Sequence, residues 1–90
     1  MLNTQTQRRR REIEDWIVAW VAREIQLDRS AIDVSEPFVN LGLSSRQAVL
    51  LMLQMETWLG QPTDAGLVYD YPTIRSLAQF LTSHTSAAKA

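Results

Sequence analysis

The sequence predicts an all-α fold, a small bundle of three main helices plus one short one. Two observations carry that expectation: apolar residues recur at i, i+3, i+4 spacing in three separate stretches, and no stretch shows the strict alternation of a half-buried strand. Glycine and proline agree with it, since Gly42, Gly60 and Pro72 fall between those stretches rather than inside them.

The first helix is expected from about Gln7 to Gln26, where Ile13, Trp16, Ile17, Trp20, Val21 and Ile25 form one buried stripe. From Leu27 to Leu43 the pattern breaks. Asp28, Asp33, Ser35, Pro37, Asn40 and Gly42 stand among isolated apolar residues, which reads as a long loop pinned inward by Ile32, Phe38 and Leu41. A loop of that length in so small a domain is often functional. The second helix is expected over Ser45–Leu59, with Ser44 as N-cap, Gln47 completing a capping box, and Gly60 as a left-handed C-terminal cap. Asp64 is then placed to cap a short helical turn through Leu67, Val68 and Tyr69, ended by Asp70-Tyr71-Pro72. Capping is also the plain reading of Asp70. The last helix follows Thr73, with Ile74, Leu77, Ala78 and Leu81 on one face, and the Ser/Thr/Ala stretch from Thr82 reads as a frayed tail.

With 90 residues the chain is read as one domain, folded over about residues 7–82, with a flexible N-terminus and C-terminal tail. A hydrophobic share of 46% with 21% charged residues is ordinary for a folded domain, and no apolar run approaches the roughly 20 residues of a membrane helix. The N-terminus lacks the apolar stretch of a secretory signal, so the setting expected is cytoplasmic and membrane-free. A net charge of −1 lacks the basic footprint of a nucleic-acid binder. Arg8 to Arg11, followed by Glu12, Glu14 and Asp15, read as a solvated helix entry, the sharper alternative being a docking patch for an acidic partner.

Catalysis finds little support. Zero cysteines exclude disulfides, thiolate metal ligands and a cysteine nucleophile, so any thiol chemistry must use a borrowed thiol. Ser45 lacks a nucleophile elbow, and the only histidine, His84, lies in the tail, where it is expected to be exposed. Asp64, Asp70 and Glu56 are single carboxylates without metal-ligand spacing, so neither a catalytic nor a metal residue is expected.

What Ser45 does have is position. A glycine turn delivers it to the start of a helix, where unpaired backbone N–H groups and the positive dipole end favour a phosphate. At about 100° per residue, Ala48, Leu51, Met52, Met55, Trp58 and Leu59 fall on one side of this helix and suffice to bury it. The opposite side carries Arg46, Val49, Leu50, Leu53 and Thr57, with Ser45 and Glu56 at its border. Either the bundle wraps further round this helix, or Arg46, Val49, Leu50 and Leu53 form a partner-docking strip beside Ser45.

Pro37-Phe38, Leu41-Gly-Leu-Ser-Ser45, Trp58-Leu-Gly60, Tyr69-Asp-Tyr-Pro-Thr-Ile74 and Leu77-Ala78 together resemble the acyl carrier protein family of polyketide and fatty-acid pathways. The resemblance runs from the first helix to about Leu81. It implies that Ser45 is the attachment point of a phosphopantetheine arm, placed there by a phosphopantetheinyl transferase, whose terminal thiol carries acyl groups as thioesters. The carrier itself would not be an enzyme. Its further partners would be an acyl-loading enzyme, a fatty acyl-AMP ligase or an acyltransferase, and downstream synthase enzymes; the Trp-Leu-Gly and Tyr-Asp-Tyr-Pro-Thr-Ile blocks look most like carriers of polyketide synthase and fatty acyl-AMP ligase pathways. A peptidyl carrier of nonribosomal synthesis is the nearest alternative, and a helical adaptor docking through the same strip is an alternative of another class. Two positions depart from the family pattern: Ser44 stands where Asp commonly precedes the serine, and Arg46 where Leu or Met commonly follows it. Ser44 can still cap the helix, whereas the local charge changes sign. A monomer is the simplest expectation.

Overall fold

The computed structural model describes residues 4–85, with side chains described for residues 8–83. Among the described residues the long elements are all helical: α1 (Thr4–Ile25), α2 (Ser45–Leu59), the four-residue α3 (Leu67–Asp70) and α4 (Ile74–Thr85). This is the expected bundle of three main helices and one short helix. The expectations that involve Met1–Asn3, Ser86–Ala90 and the side chain of His84 lie outside the described residues.

Helix α1 begins at Thr4 rather than about Gln7, so Arg8 to Arg11 belong to its body. Glu14 holds two guanidinium groups, Arg10 at 3.4 Å one turn back and Arg75 of α4 at 3.9 Å. The helix ends where Gln26 turns left-handed at φ 59 and the Leu27 N–H donates to the Ala22 carbonyl at 3.0 Å.

The segment between α1 and α2 is more ordered than a plain loop. Two 3₁₀ turns, Arg29–Ala31 and Phe38–Leu41, lie within it. Asp28 caps the first: its carboxylate accepts from the Ser30 hydroxyl and N–H, which holds its pKa below the ordinary carboxylate value. Ile32 and Phe38 are buried as expected, while Leu41 is half-buried. The Phe38 N–H donates to the Pro72 carbonyl at 2.8 Å and the Arg75 N–H to the Val34 carbonyl at 3.0 Å, so the segment is stitched to the start of α4.

Two capping expectations need correction. Asp64 accepts from the Gly66 N–H at 2.9 Å and so closes the turn ahead of α3, whose own N-cap is Gly66 with no side-chain bond. Asp70 is the last residue of α3 and caps nothing. The reciprocal cap of α4 is instead Thr73 with Ser76: the Ser76 N–H donates to Thr73 Oγ1 at 3.0 Å and the Thr73 N–H to Ser76 Oγ at 3.1 Å. Nor does α4 stop at Thr82. That residue is buried inside the helix, its hydroxyl donating to the Ala78 carbonyl at 2.7 Å, which lets a threonine pack its methyl in the core.

The core joins Ile13, Ile17, Trp20 and Val21 of α1 to Ile74, Leu77, Ala78 and Leu81 of α4, with Ala48, Leu51, Met52 and Met55 of α2 closing it from the third side. Trp58, expected inside, is 43% exposed. It lies at the margin of the buried face, where Trp16 of α1 covers it, the two rings stacked at 5.1 Å and 14°. Leu59 is half-buried. No described helix is long and apolar enough to cross a membrane.

Candidate functional site

Ser45 opens α2 and is exposed. Its delivery starts at Gly42, which ends the second 3₁₀ turn at φ 95. A Cβ there would meet nothing within 4 Å, so backbone conformation rather than space calls for glycine. Two residues on, Ser44 returns to extended backbone and caps α2. Its hydroxyl accepts from the Gln47 N–H at 3.1 Å, and Gln47 Oε1 accepts from the Ser44 N–H at 2.9 Å. The capping box read from the sequence is therefore present.

That cap sets what the helix start can bind. The Ala48 N–H donates to the Ser44 carbonyl at 2.9 Å and the Gln47 N–H is held by the cap, which leaves the N–H groups of Ser45 and Arg46 without a protein partner among the described residues. Free N–H groups at the positive end of a 15-residue helix suit an anion, and the serine hydroxyl stands among them.

Beside Ser45 lies a pocket of about 160 Å³, walled by Pro37, Phe38, Val39, Leu43, Ala48, Val68, Tyr69 and Pro72, with Ser44 and Ser45 at its edge. No charged side chain lines it. Val39 at 78% and Tyr69 at 69% exposure form its lips. Sequence reasoning gives neither of them a role at the site. The usable signal is the isolated aromatic of a very short helix whose neighbour Val68 is the residue turned inward.

On the other flank, Arg46, Val49, Leu50 and Leu53 are all exposed, as the helical arithmetic requires. Arg46 makes no ion pair among the described residues, so the strip carries one unopposed positive charge at its head. Sequence reasoning also misses Glu24, at the end of α1, whose Oε1 accepts from Gln47 Nε2 at 3.1 Å. The capping box uses only the oxygen of the Gln47 amide, so a second partner for its nitrogen is a foreseeable need.

These features fit a covalently held phosphodiester: an exposed hydroxyl to carry it, free N–H groups to face its oxygens, and an uncharged apolar recess beside it. Comparison with known proteins points to the same kind of group. The chain is 29% identical over 77 residues to a phenolphthiocerol/phthiocerol polyketide synthase of Mycobacterium tuberculosis, the match taking in 86% of this chain and 4% of that much longer protein. Among solved structures, an acyl carrier protein of Anabaena sp. PCC 7120 with a variant phosphopantetheinylation-site sequence superposes at TM-score 0.80 with 33% identity, over 84% of this chain and 86% of that one. A free-standing peptidyl carrier protein of Acinetobacter baumannii matches at TM-score 0.79 with 29% identity, over 83% and 94%. The model of the family described as "Phosphopantetheine attachment site" covers residues 15–81, and so takes in α2, α3 and parts of α1 and α4. The chain belongs to that phosphopantetheine-attachment family, whose members are carrier domains of polyketide and related pathways and generally do not catalyse reactions themselves.

Proposed function

We propose that Ser45 is the residue that accepts the phosphopantetheine arm and that the chain carries acyl groups between enzymes of a polyketide or fatty-acid type pathway. The single observation behind this reading is the exposed Ser45 hydroxyl at the capped start of α2, inside the family match, with two free N–H groups beside it. In the transfer, the Ser45 oxygen bonds the pyrophosphate phosphorus of coenzyme A that bears the pantetheine, the pyrophosphate P–O bond breaks to release the adenosine bisphosphate half, and the serine proton passes to a base of the phosphopantetheinyl transferase. Once attached, the arm supplies a terminal thiol that holds acyl groups as thioesters, a group this cysteine-free chain lacks. The residues of the chain position and neutralise: the Ser45 and Arg46 N–H groups face the phosphodiester, and the tethered cargo gains effective concentration at whichever enzyme is docked.

The docking surface in this reading is the strip of Arg46, Val49, Leu50 and Leu53. Each aliphatic buried against a partner contributes on the order of 1.5–3 kcal/mol before ordering costs, which suits an encounter that must be brief. The loading enzyme is a fatty acyl-AMP ligase or an acyltransferase. The likeness to a solved peptidyl carrier supports one second reading, an aminoacyl cargo.

Intact mass after incubation with coenzyme A and a broad-specificity transferase tests the proposal. The expected result is the mass gain of one arm, absent in Ser45→Ala. No gain where a control carrier is modified, or gain that persists in Ser45→Ala, removes it. Presenting the arm-bearing chain to a fatty acyl-AMP ligase and to an enzyme that activates amino acids then separates acyl from aminoacyl cargo.

A further inference from the structure

We propose that Glu24, at the C-terminal end of α1, and Gln47, in the first turn of α2, act as a pair of positioning residues that fix how Ser45 is presented to the transferase. This rests on the reading of Ser45 as the modified residue. The geometry behind it is a three-member chain of hydrogen bonds across two helices: Glu24 Oε1 accepts from Gln47 Nε2 at 3.1 Å, Gln47 Oε1 accepts from the Ser44 N–H at 2.9 Å, and the Gln47 N–H returns to Ser44 Oγ at 3.1 Å.

Donor and acceptor chemistry fixes the direction of this chain. An amide carries an acceptor and a donor at opposite ends of one planar unit, whereas an ionised carboxylate only accepts. Glu24 therefore takes the nitrogen end of Gln47, and the oxygen end is left facing the Ser44 N–H. Without an acceptor at position 24, the amide is free to rotate its nitrogen toward Ser44 or out to water, and the Ser44 N–H keeps its acceptor only part of the time. The bonds also reinforce one another, since an amide donating to an anion becomes a better acceptor at its oxygen. Ser45 follows Ser44 directly, so what holds the backbone of Ser44 sets the direction in which Ser45 leaves the loop. Gly42 precedes with the freedom of a glycine, and the cap must therefore supply the order that the turn lacks.

A capping box alone would give the helix its stability. The link to α1 adds something else, because it ties the start of α2 to a second helix packed on α4, and so to the body of the bundle. The role assigned is thus orientation of Ser45 rather than stability of the fold.

Three variants separate this role from its rivals. Gln47→Glu keeps a capping-box acceptor and places a favourable charge at the helix start, but it sets two carboxylates against each other. Glu24→Ala removes the acceptor while shifting net charge the other way. Glu24→Gln loses the charge and keeps an acceptor. Transfer kinetics with coenzyme A and a broad-specificity transferase are expected to show kcat lowered about three- to tenfold in both Gln47→Glu and Glu24→Ala, in the range of one broken coupling. KM stays unchanged in Glu24→Ala, which leaves the docking strip of α2 untouched. Glu24→Gln stays within about twofold of the unaltered chain, and circular dichroism shows every variant folded at the assay temperature. Backbone hydrogen exchange at Ser44 is expected to quicken in Glu24→Ala and not in Glu24→Gln. Slowing in Gln47→Glu alone would mean charge rather than position and overturns the proposal, as do equal rates in all three. An unaltered chain that gains no arm overturns the reading of Ser45 itself, and this inference with it.

Discussion

Trp20 of α1 donates its indole N–H to the side-chain oxygen of Gln54 on α2 at 2.7 Å. The contact is one rung of a series: Glu24 meets Gln47 on one side of it, and Trp16 stacks on Trp58 on the other. As the numbers fall along α1 they rise along α2, so the two helices run antiparallel and are joined edge to edge by three pairs of different chemistry. Trp20 is buried, and its N–H needs a partner there. Gln54→Leu is therefore expected to destabilise the domain by about 1–3 kcal/mol, the cost of a stranded buried donor. Gln54→Glu, which keeps the acceptor, is expected to lose much less. Denaturant melts of the two variants check the difference.

Adjacent leucines on α2 should behave as opposites. Leu50 is 38% exposed and Leu51 0%. Leu50→Glu, like Leu53→Glu, is expected to leave the melting curve in place and slow acyl loading, chiefly through KM. Leu51→Glu buries a charge among Met52, Met55 and α1 and is expected to unfold the chain. Circular dichroism beside a loading assay reads both, and an unfolded Leu50→Glu would end the docking assignment.

Ser44→Ala removes the acceptor of the Gln47 N–H and is expected to cost about 1 kcal/mol, as lost N-caps do. Ser45→Ala makes no such loss and should melt with the unaltered chain, although it takes up no arm. Gly42→Ala is expected to cost on the order of 1–2 kcal/mol from its left-handed backbone alone, since the space around it is open. Thermal melts order the three variants.

Asp28 offers a pH handle. Hydrogen bonds from the Ser30 hydroxyl and N–H lower its pKa, so whatever stability the carboxylate gives is complete above the ordinary carboxylate value and is lost as the pH falls through the lowered one. An NMR titration should place the Asp28 midpoint below that of a free aspartate, and Ser30→Ala should move it back up. An ordinary midpoint in the unaltered chain would show that Ser30 is not donating.

How far the sequence reaches follows from the range of each interaction. The α2 cap, its glycine end and the exposed side of the helix are legible because they depend on residues within a turn of one another: Ser44 with Gln47, Leu50 with Leu51. Trp58 departs from its expected place because the spacing rule gives an angle and not the width of the neighbour; the position of Trp16 decides how much of that ring is covered. Thr82 reads as tail only while a polar residue is equated with an exposed one, whereas its bond to Ala78 satisfies it inside the helix. Glu24 cannot be matched to Gln47 from sequence because nothing local fixes how two helices separated by a long segment lie against each other. The pocket beside Ser45 is out of reach for the same reason, its walls coming from the interhelical segment, α2 and α3 together.

The antiparallel edge has one further use. All three tryptophans of the chain, Trp16, Trp20 and Trp58, stand on it, and none lines the recess beside Ser45. Tryptophan emission, excited beyond the absorption of Tyr69 at the recess, is thus expected to report on the seam between α1 and α2 rather than on what occupies the recess. A change in that emission on loading would place the effect of the cargo along the seam, away from the recess.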